Sequence, residues 1–202
     1  GPLLGEVWRD RGLGDFYGYM LVAEGAAEVM VESELKLWDR REDIAEAFEQ
    51  AADVADAVIT SGGVSVGDAA FVKEMLDRMG QVDFWKIAMK PGKPLAFGQL
   101  KDAVFFGLPG NPVSVMATFY QIVQPSLRIL TGAADTKTLR LKVPCATALK
   151  KSPGRQDFQR GILETNDAGE LVVHTTGNQG SHVLSSMSQA NCFIILPAEP
   201  GS

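Results

Sequence analysis

The segment from Asp56 to Asn111 limits the possible folds of this chain most strongly. It opens with an apolar run, DAVIT, which passes directly into the Gly-rich sequence SGGVSVGD at residues 61–68. A helical pattern, AAFVKEMLDRMG, comes next, followed by a basic loop, WKIAMKPGKP, and a second buried run, AVFFGL, that ends in the tight turn PGNP. Two short β-rich runs, each ending in a Gly-rich turn that opens a helix, predict an open α/β sheet. In such sheets ligands lie beyond the carboxyl ends of the strands.

The two turns also have a purely structural interpretation, because glycine supplies positive φ and proline stiffens the chain. Two turns in register favour a binding site instead, since Lys86, Lys90 and Lys93 lie between them in the sequence. Backbone N–H groups and fixed cations at one edge suit an anion. The pattern therefore predicts a site for a small phosphorylated or oxyanionic ligand.

Composition narrows the class of protein. With 202 residues, of which 46% are hydrophobic and 22% charged, the chain can bury a sizeable core, and we expect one larger domain and one small one. Its net charge of −6 argues against nucleic-acid or acidic-membrane partners. Cys145 and Cys192 have no metal-ligand spacing. No signal peptide or membrane-spanning stretch is recognisable in the sequence, so a cytoplasmic location is expected.

Helical patterns flank the central segment on both sides. Residues 40–52 form an amphipathic pattern in which Ile44, Phe48 and Ala52 share a face, with Asp39 as the N-cap. After the PGNP turn, the apolar segment VSVMATFYQIVQPSLRIL predicts one long helix. Its sheet-covering face would carry Val113, Met116, Ala117, Tyr120 and Val123.

A polar linker, TGAADTKT, marks the expected boundary between domains 1–134 and 135–202. The second domain is predicted to be all-β, because four short strand patterns follow the linker: LRLKVPCATAL, DFQRGILET, GELVVHTT and ANCFIILP. The sequence ETNDAGEL between two of them is typical of a hairpin with a slightly longer loop.

From about residue 39 onward these strings together resemble the molybdopterin molybdenumtransferase family, to which the C-terminal part of gephyrin belongs. DAVITSGGVSVGDAAFVKEML, FWKIAMKPGKPLAFG and FGLPGNPVSVMATFYQIVQP carry the resemblance in the first domain. GRQDFQRG and TTGNQGSHVLSSMSQANCFIILP carry it in the second domain. The resemblance implies an open, mostly parallel sheet sandwiched by helices, with the family's first strand missing, and a small barrel-like β domain truncated at its C-terminus.

The opening segment suggests a different source. GDFYGYMLVAEGAAEVMVESELKLWD, within residues 1–39, resembles the histidinol-phosphatase branch of the inositol-monophosphatase superfamily, in which Asp39 would be a metal ligand. The other metal motifs of that superfamily are absent, and one carboxylate cannot hold Mg²⁺ alone. We therefore expect a chimeric chain, engineered or natural, in which this segment supplies a helix and a strand. A Mg²⁺-dependent sugar or histidinol phosphatase fragment is the least favoured function.

The molybdenumtransferase resemblance also implies a set of site residues. Lys86, Lys90 and Asp68 would be catalytic, the two lysines by holding molybdate or the adenylylated substrate. The substrate-binding positions would be Gly62, Gly63, Ser65, Gly67, Pro109, Gly110, Asn111, Pro112, Arg160 and Ser181. In the family, contacts like those of Arg160 and Ser181 come across a homodimer interface.

One departure from the family pattern concerns the acid that follows the Gly-rich loop. Ala70 stands where the family carries an Asp associated with Mg²⁺ and catalysis, and Arg40 replaces a frequent second Asp. The implied reaction is Mg²⁺-dependent insertion of molybdenum from molybdate into adenylylated molybdopterin with release of AMP. We expect this activity to be reduced or absent here. A catalytically silent chimeric fold or a binding and scaffold module is the alternative.

Overall fold

The computed structural model describes residues 41–61, 69–134 and 138–198. Helix α1 (Arg41–Val54) precedes β1 (Ala57–Ser61), and helix α2 (Ala69–Met79) precedes β2 (Gly80–Lys86). Three further strands follow: β3 (Met89–Lys90), β4 (Pro94–Leu100) and β5 (Ala103–Leu108). Strands β1, β5, β4 and β2 form the first sheet in that order.

The first sheet is mixed, so the expectation of a mostly parallel sheet is wrong for the described strands. Strands β1 and β5 are parallel, whereas β5–β4 and β4–β2 are antiparallel. The two-residue turn at Lys101 and Asp102 joins β4 to β5, and a connection this short permits only antiparallel pairing.

The sequence pattern also missed the pairing of β2 with β4, because the segment between them resembles a loop. Gly98 is needed in this pairing, since a Cβ there would lie 2.0 Å from the backbone oxygen of Gln81. The helical and apolar patterns at α1, β1, α2 and β5 are confirmed.

Helices cover both faces of the first sheet, as expected. On one face, Phe48 of α1 and Leu76 of α2 pack with Phe105 of β5 in one buried cluster. On the other face, Phe119 and Val123 pack on Ile59 and Phe106. These two clusters contain much of the apolar core and fix the strand ends in space.

The long apolar helix forms, but it contains a π turn. Helix α3 (Pro112–Thr118) continues through a π segment (Phe119–Val123) into helix α4 (Gln124–Leu130). Pro125 has no N–H to donate to the preceding turn, and the hydroxyl of Ser126 donates to the carbonyl of Ile122 at 2.8 Å. Val113, Ala117 and Val123 are fully buried, whereas Met116 and Tyr120 of the same predicted face are half-buried.

The second sheet consists of β3, β6 (Gln156–Thr165), β7 (Leu171–Thr175) and β8 (Cys192–Leu196), with the short helix α5 (Ser185–Gln189) before β8. The predicted hairpin is confirmed, and Asn166 closes its loop by accepting from Ala168 and Glu170 through its side chain. The pattern LRLKVPCATAL does not form a strand. Among its residues, pairing is limited to an isolated bridge from Cys145 to Val173.

The described part of the second sheet is open rather than closed, so the expected barrel-like domain is not confirmed. Strand β6 pairs with β8 over Asp157–Gly161 and with β7 over Gly161–Thr165. Strand β3 pairs in parallel with the start of β6, with Lys90 beside Asp157. The connection between β2 and β4 therefore contributes a strand to the second sheet. Across the described residues, no helix is both long enough and apolar enough to cross a membrane.

Candidate functional site

Three strands of the first sheet end at the same edge. Ser61 at the end of β1 pairs with Leu108 at the end of β5. Lys86 at the end of β2 pairs with Pro94, the first residue of β4, which runs antiparallel to both of its neighbours. The segments that follow these strands therefore leave the sheet at one edge, as the sequence pattern predicted. Within the Gly-rich loop, Gly62, Gly63, Ser65, Gly67 and Asp68 lie outside the described residues, as does Asp39.

The PGNP turn forms the start of helix α3. Pro112 is the first helical residue, where its missing N–H costs nothing, and Asn111 is the N-cap without a side-chain capping bond. The side-chain oxygen of Asn111 is buried and accepts no hydrogen bond from the described residues. Pro109 is buried and Gly110 is exposed.

The lysine-rich connection is held against helix α3 by Gly92. This glycine has φ +99°, and a Cβ there would lie 2.4 Å from the hydroxyl of Thr118. The N–H of Ile87 donates to the carbonyl of Lys93 at 2.9 Å and closes the base of the connection. Lys86 and Lys93 are exposed, whereas Lys90 reaches the second sheet.

A cavity of about 200 Å³ lies where this connection meets the second sheet; we call it the site cavity. Its lining residues are Lys90, Pro91, Ala148, Lys150, Asp157, Phe158, Gln159, Arg160, Thr175, Gly177 and Gln179. Lys90 and Arg160, two of the predicted site residues, thus come together from distant parts of the chain. Lys86, Lys93 and the PGNP residues do not line this cavity.

Arg160 lies in the centre of a buried hydrogen-bond network. Its side chain is among the largest fully buried ones of the described residues. The guanidinium Nε donates to the hydroxyl of Ser186 at 2.9 Å, and Nη2 donates to the carbonyl of Gly180 at 3.0 Å and of Asn178 at 3.5 Å. Burial lowers the pKa of Arg160 from its ordinary value, yet a guanidinium stays protonated in proteins. These partners are all neutral, so they leave its positive charge uncompensated.

The backbone of Arg160 is held by one side chain. Gln179 accepts from the Arg160 N–H at 2.7 Å and donates to the Arg160 carbonyl at 3.1 Å, as a neighbouring strand would. The predicted residue Ser181 follows Gly180, whose carbonyl accepts from Arg160. Arg160 therefore connects β6 with the turn that carries Ser181, although Ser181 itself is not among the cavity-lining residues.

Asp157 gives the cavity a negative charge that the sequence analysis did not foresee. Its Oδ2 lies 3.5 Å from Nζ of Lys90, and the Asp157 side chain is 3% exposed whereas that of Lys90 is 44% exposed. Its Oδ1 is buried and has no hydrogen-bond partner among the described residues. The cavity thus combines the cations of Lys90, Lys150 and Arg160 with one carboxylate, so its lining is net positive.

The missed residues had a weak signal in the sequence. QDFQRG places polar side chains throughout a strand pattern, and the residues from Asp157 to Arg160 are all buried in β6, which pairs with β8 over this stretch and with β3 at Asp157. Polar residues in a fully buried strand require partners within the protein or a ligand. Ser186 had no such signal, because its partner Arg160 is distant in the sequence.

The histidines and Cys192 do not line the site cavity. His182 is exposed, and His174 pairs with Glu164 at 3.2 Å. Burial raises the pKa of the Cys192 thiol. No group of three or more His, Cys, Asp or Glu side chains in the described part of the chain could hold a metal ion.

Comparisons with known proteins cover both halves of the chain. A family described as "Probable molybdopterin binding domain" matches residues 15–129, and one described as "MoeA C-terminal region (domain IV)" matches residues 142–201. The molybdopterin molybdenumtransferase of Haemophilus influenzae is 52% identical over 165 residues, which cover 81% of this chain and 41% of the relative. Gephyrin of Dictyostelium discoideum is 33% identical and covers 81% of this chain and 26% of the relative.

A solved structure shows the same fold. The crystal structure of the molybdopterin biosynthesis MoeA protein from Pyrococcus horikosii superposes with a TM-score of 0.62 at 28% identity, covering 80% of this chain and 38% of that one. This chain thus spans well under half the length of the relatives named here. The family match from residue 15 includes much of the segment that resembled a phosphatase. These comparisons give no support to a phosphatase segment or a chimeric chain.

Proposed function

This chain belongs to the family that joins a molybdopterin-binding domain to a MoeA C-terminal region, and from that premise we propose that it acts in molybdenum-cofactor biosynthesis. The proposed reaction inserts molybdenum from molybdate into adenylylated molybdopterin and releases AMP. Relatives named as molybdenumtransferases support the reaction, and the chain spans only part of them. We propose residues 1–134 and 135–202 as its two units; the separate family matches at residues 15–129 and 142–201 support a division between them.

One observation supports the molybdate site most directly. Lys90 and Arg160 line a single cavity of about 200 Å³, one from the β2–β4 connection and the other from β6. Molybdate is a small tetrahedral dianion, so a buried guanidinium with neutral partners and a lysine that lines the same cavity suit it. Preorganised cations would also stabilise the negative charge that develops on the phosphate oxygens as AMP leaves.

The second substrate would bind along the neighbouring sheet edge. The segments after β1 and β5 leave the first sheet there, and the family resemblance assigns the pterin phosphate region to Gly62, Gly63, Ser65 and Gly67. The PGNP turn would close the same edge. Lys86 at the end of β2 is exposed there and free to approach a phosphoanhydride.

Mg²⁺ enters no step of this proposal. The candidate acids Asp39 and Asp68 lie outside the described residues. At position 70, in the first turn of α2, the residue is alanine, whose side chain has no oxygen to bind a cation. We expect turnover to be low for this reason, and replacing Ala70 by Asp to raise the rate of AMP release in the presence of Mg²⁺. A rate that is zero in both proteins, with molybdate binding intact, would favour a silent binding module.

Equilibrium dialysis with labelled molybdate tests the binding step. We expect saturable binding by the parent chain and a loss of about tenfold or more in Lys90→Ala, because a charge-assisted contact is removed. Lys101→Ala is the matched control, since Lys101 pairs with the exposed Asp53 on another part of the surface. Equal affinity in Lys90→Ala and Lys101→Ala would refute the proposed site.

By analogy with the family, the proposal also includes a homodimer in the cytoplasm; Lys90 and Arg160 of one chain line the site cavity, so the proposed molybdate binding does not need the neighbouring subunit. Light scattering at several concentrations measures the mass directly. A mass of one chain at all concentrations would refute the homodimer and leave the proposed site cavity unchanged.

A further inference from the structure

The guanidinium of Arg160 is oriented by a hydroxyl rather than by a carboxylate. Its Nε donates to Oγ of Ser186 at 2.9 Å, and that hydroxyl in turn donates to the carbonyl of Val183 at 2.6 Å. Because the Ser186 proton is used for Val183, the hydroxyl faces Arg160 as an acceptor. The two hydrogen bonds therefore donate in the same direction, from the guanidinium to Ser186 and from Ser186 to the backbone.

Helix α5 has an unusual contact with the sheet. It contains five residues, and Ser186 is its one buried residue. A short helix that docks through a hydroxyl gains little from apolar burial, so packing alone does not explain the serine. The bond to Arg160 does explain it, since this is the contact that Ser186 makes with β6 through its side chain.

We propose that Ser186 is a positioning residue, which holds the guanidinium of Arg160 so that its remaining donors face the oxyanion in the site cavity. This inference rests on the proposed function, because the oxyanion is the proposed molybdate. Ser186 fixes Nε, and the carbonyls of Gly180 and Asn178 fix Nη2. Within the described part of the chain, Nη1 makes no hydrogen bond and remains for the ligand.

The hydrogen-bond partner of Arg160 determines how strongly the guanidinium attracts an anionic ligand. A carboxylate in place of Ser186 would orient Arg160 equally well, but it would cancel most of the charge that attracts an anion. A hydroxyl supplies direction without a negative charge. Arginine loses rotamer freedom when it is fixed, so fixing it before the ligand arrives strengthens binding.

Molybdate titrations of the full 202-residue chain test the proposal. We expect Ser186→Ala to bind molybdate about tenfold more weakly, the effect of losing one hydrogen bond to a charged group. Ser185→Ala is the matched control, because Ser185 lies in the same helix with an exposed side chain. Equal affinity of the parent and Ser186→Ala would overturn the proposal.

An NMR experiment distinguishes loss of the Ser186–Arg160 contact from general destabilisation of the fold. The ¹⁵N–¹H resonance of Arg160 Nε, assigned by its absence in Arg160→Lys, should exchange slowly with solvent in the parent chain and in Ser185→Ala. It should exchange faster in Ser186→Ala at a temperature where all variants are folded. Unchanged exchange in Ser186→Ala overturns the proposal even if affinity falls. If the parent chain fails to bind molybdate, the proposed function is wrong, and this resonance alone decides whether Ser186 holds Arg160.

Discussion

The two sheets bury different kinds of side chain. Apart from Met89 of β3, Phe158 and Val173, the buried apolar side chains of the described residues all lie between residues 48 and 123, around the first sheet. Around the second sheet, β6 buries the charged side chains of Asp157 and Arg160 along with Gln159, and α5 buries Ser186, whereas the buried polar residues around the first sheet are the uncharged Thr60, Ser114 and Thr118. A hydrophobic core tolerates substitutions that conserve volume, and its contribution to stability grows with the apolar area it buries. A buried polar network contributes to stability only when every member has a hydrogen-bond partner.

This difference separates stability from recognition. The first sheet holds the strand ends in place, and the second sheet provides most of the charged lining of the site cavity. Substitutions in the first sheet should therefore act mainly on the free energy of unfolding. Substitutions in the second sheet should act mainly on anion binding.

The largest expected effect concerns the core of the first sheet. Phe105 is fully buried and its ring lies 5.7 Å from that of Phe48 in an edge-to-face contact. Phe105→Ala should lower the free energy of unfolding by about 3–5 kcal/mol, because it removes apolar burial and leaves a cavity. Urea denaturation measures this, with the 44% exposed Phe97 replaced by Ala as the control. Similar losses at both positions would contradict the role assigned to the core.

The next effect should separate binding from stability. Arg160→Met keeps the aliphatic stem but leaves the acceptors of Ser186 and Gly180 without their donor. We expect a loss of about 1–3 kcal/mol in the free energy of unfolding and complete loss of molybdate binding. Calorimetric titration and thermal unfolding of the same sample report both quantities. Retained molybdate affinity would remove Arg160 from the site.

A third substitution should change binding in the opposite direction. Asp157→Asn removes the carboxylate of the site cavity, whose Oδ1 has no partner among the described residues. Because a negative charge repels a dianion, the substitution should tighten molybdate binding about tenfold, on the order of 1.4 kcal/mol. The free energy of unfolding should change by less than about 1 kcal/mol, because the desolvation cost of the buried carboxylate is removed and the remaining Lys90, 44% exposed, stays solvated. Weaker binding in Asp157→Asn would show that the carboxylate helps to hold the ligand.

The smallest expected effect is on the pH at which the Cys192 thiol becomes reactive. Burial raises the pKa of the Cys192 thiol, so its reactive thiolate should form at a higher pH than in an unfolded peptide. The folded state disfavours the thiolate, and its stability should fall slightly as the pH rises above the pKa of the unfolded thiol. Alkylation rates followed by mass spectrometry between neutral and alkaline pH, in native and urea-unfolded protein, test this. Equal rates in the two states would contradict the burial of Cys192.

Local patterns predicted part of the fold well. The apolar runs at β1 and β5, the amphipathic helix around Phe48 and the hairpin at Asn166 each follow from a few neighbouring residues, and all of them form. The β2–β4 pairing was missed because Gly98 and the prolines of the connection resemble loop residues. The segment containing Leu139 alternates like a strand, but among the described residues its pairing is limited to the bridge at Cys145, and Leu139 is 81% exposed.

The site depends on contacts between distant residues, which patterns cannot supply. The family resemblance identified Lys90 and Arg160, but the pairing of β3 with β6 is what brings them to one cavity. Asp157 and Ser186 were missed because their roles depend on those partners. A polar residue in a strand pattern indicates a buried network only after the neighbouring strands are known.

The most direct test of the account is a crystal structure of this chain soaked with molybdate or tungstate, with the heavy atom located by its anomalous scattering. We predict one strong peak in the site cavity, within hydrogen-bonding reach of the Arg160 guanidinium through the ligand's oxygens and beside Nζ of Lys90. A peak at the PGNP turn or elsewhere, with the site cavity empty, would contradict the assignment of Lys90 and Arg160 to the oxyanion.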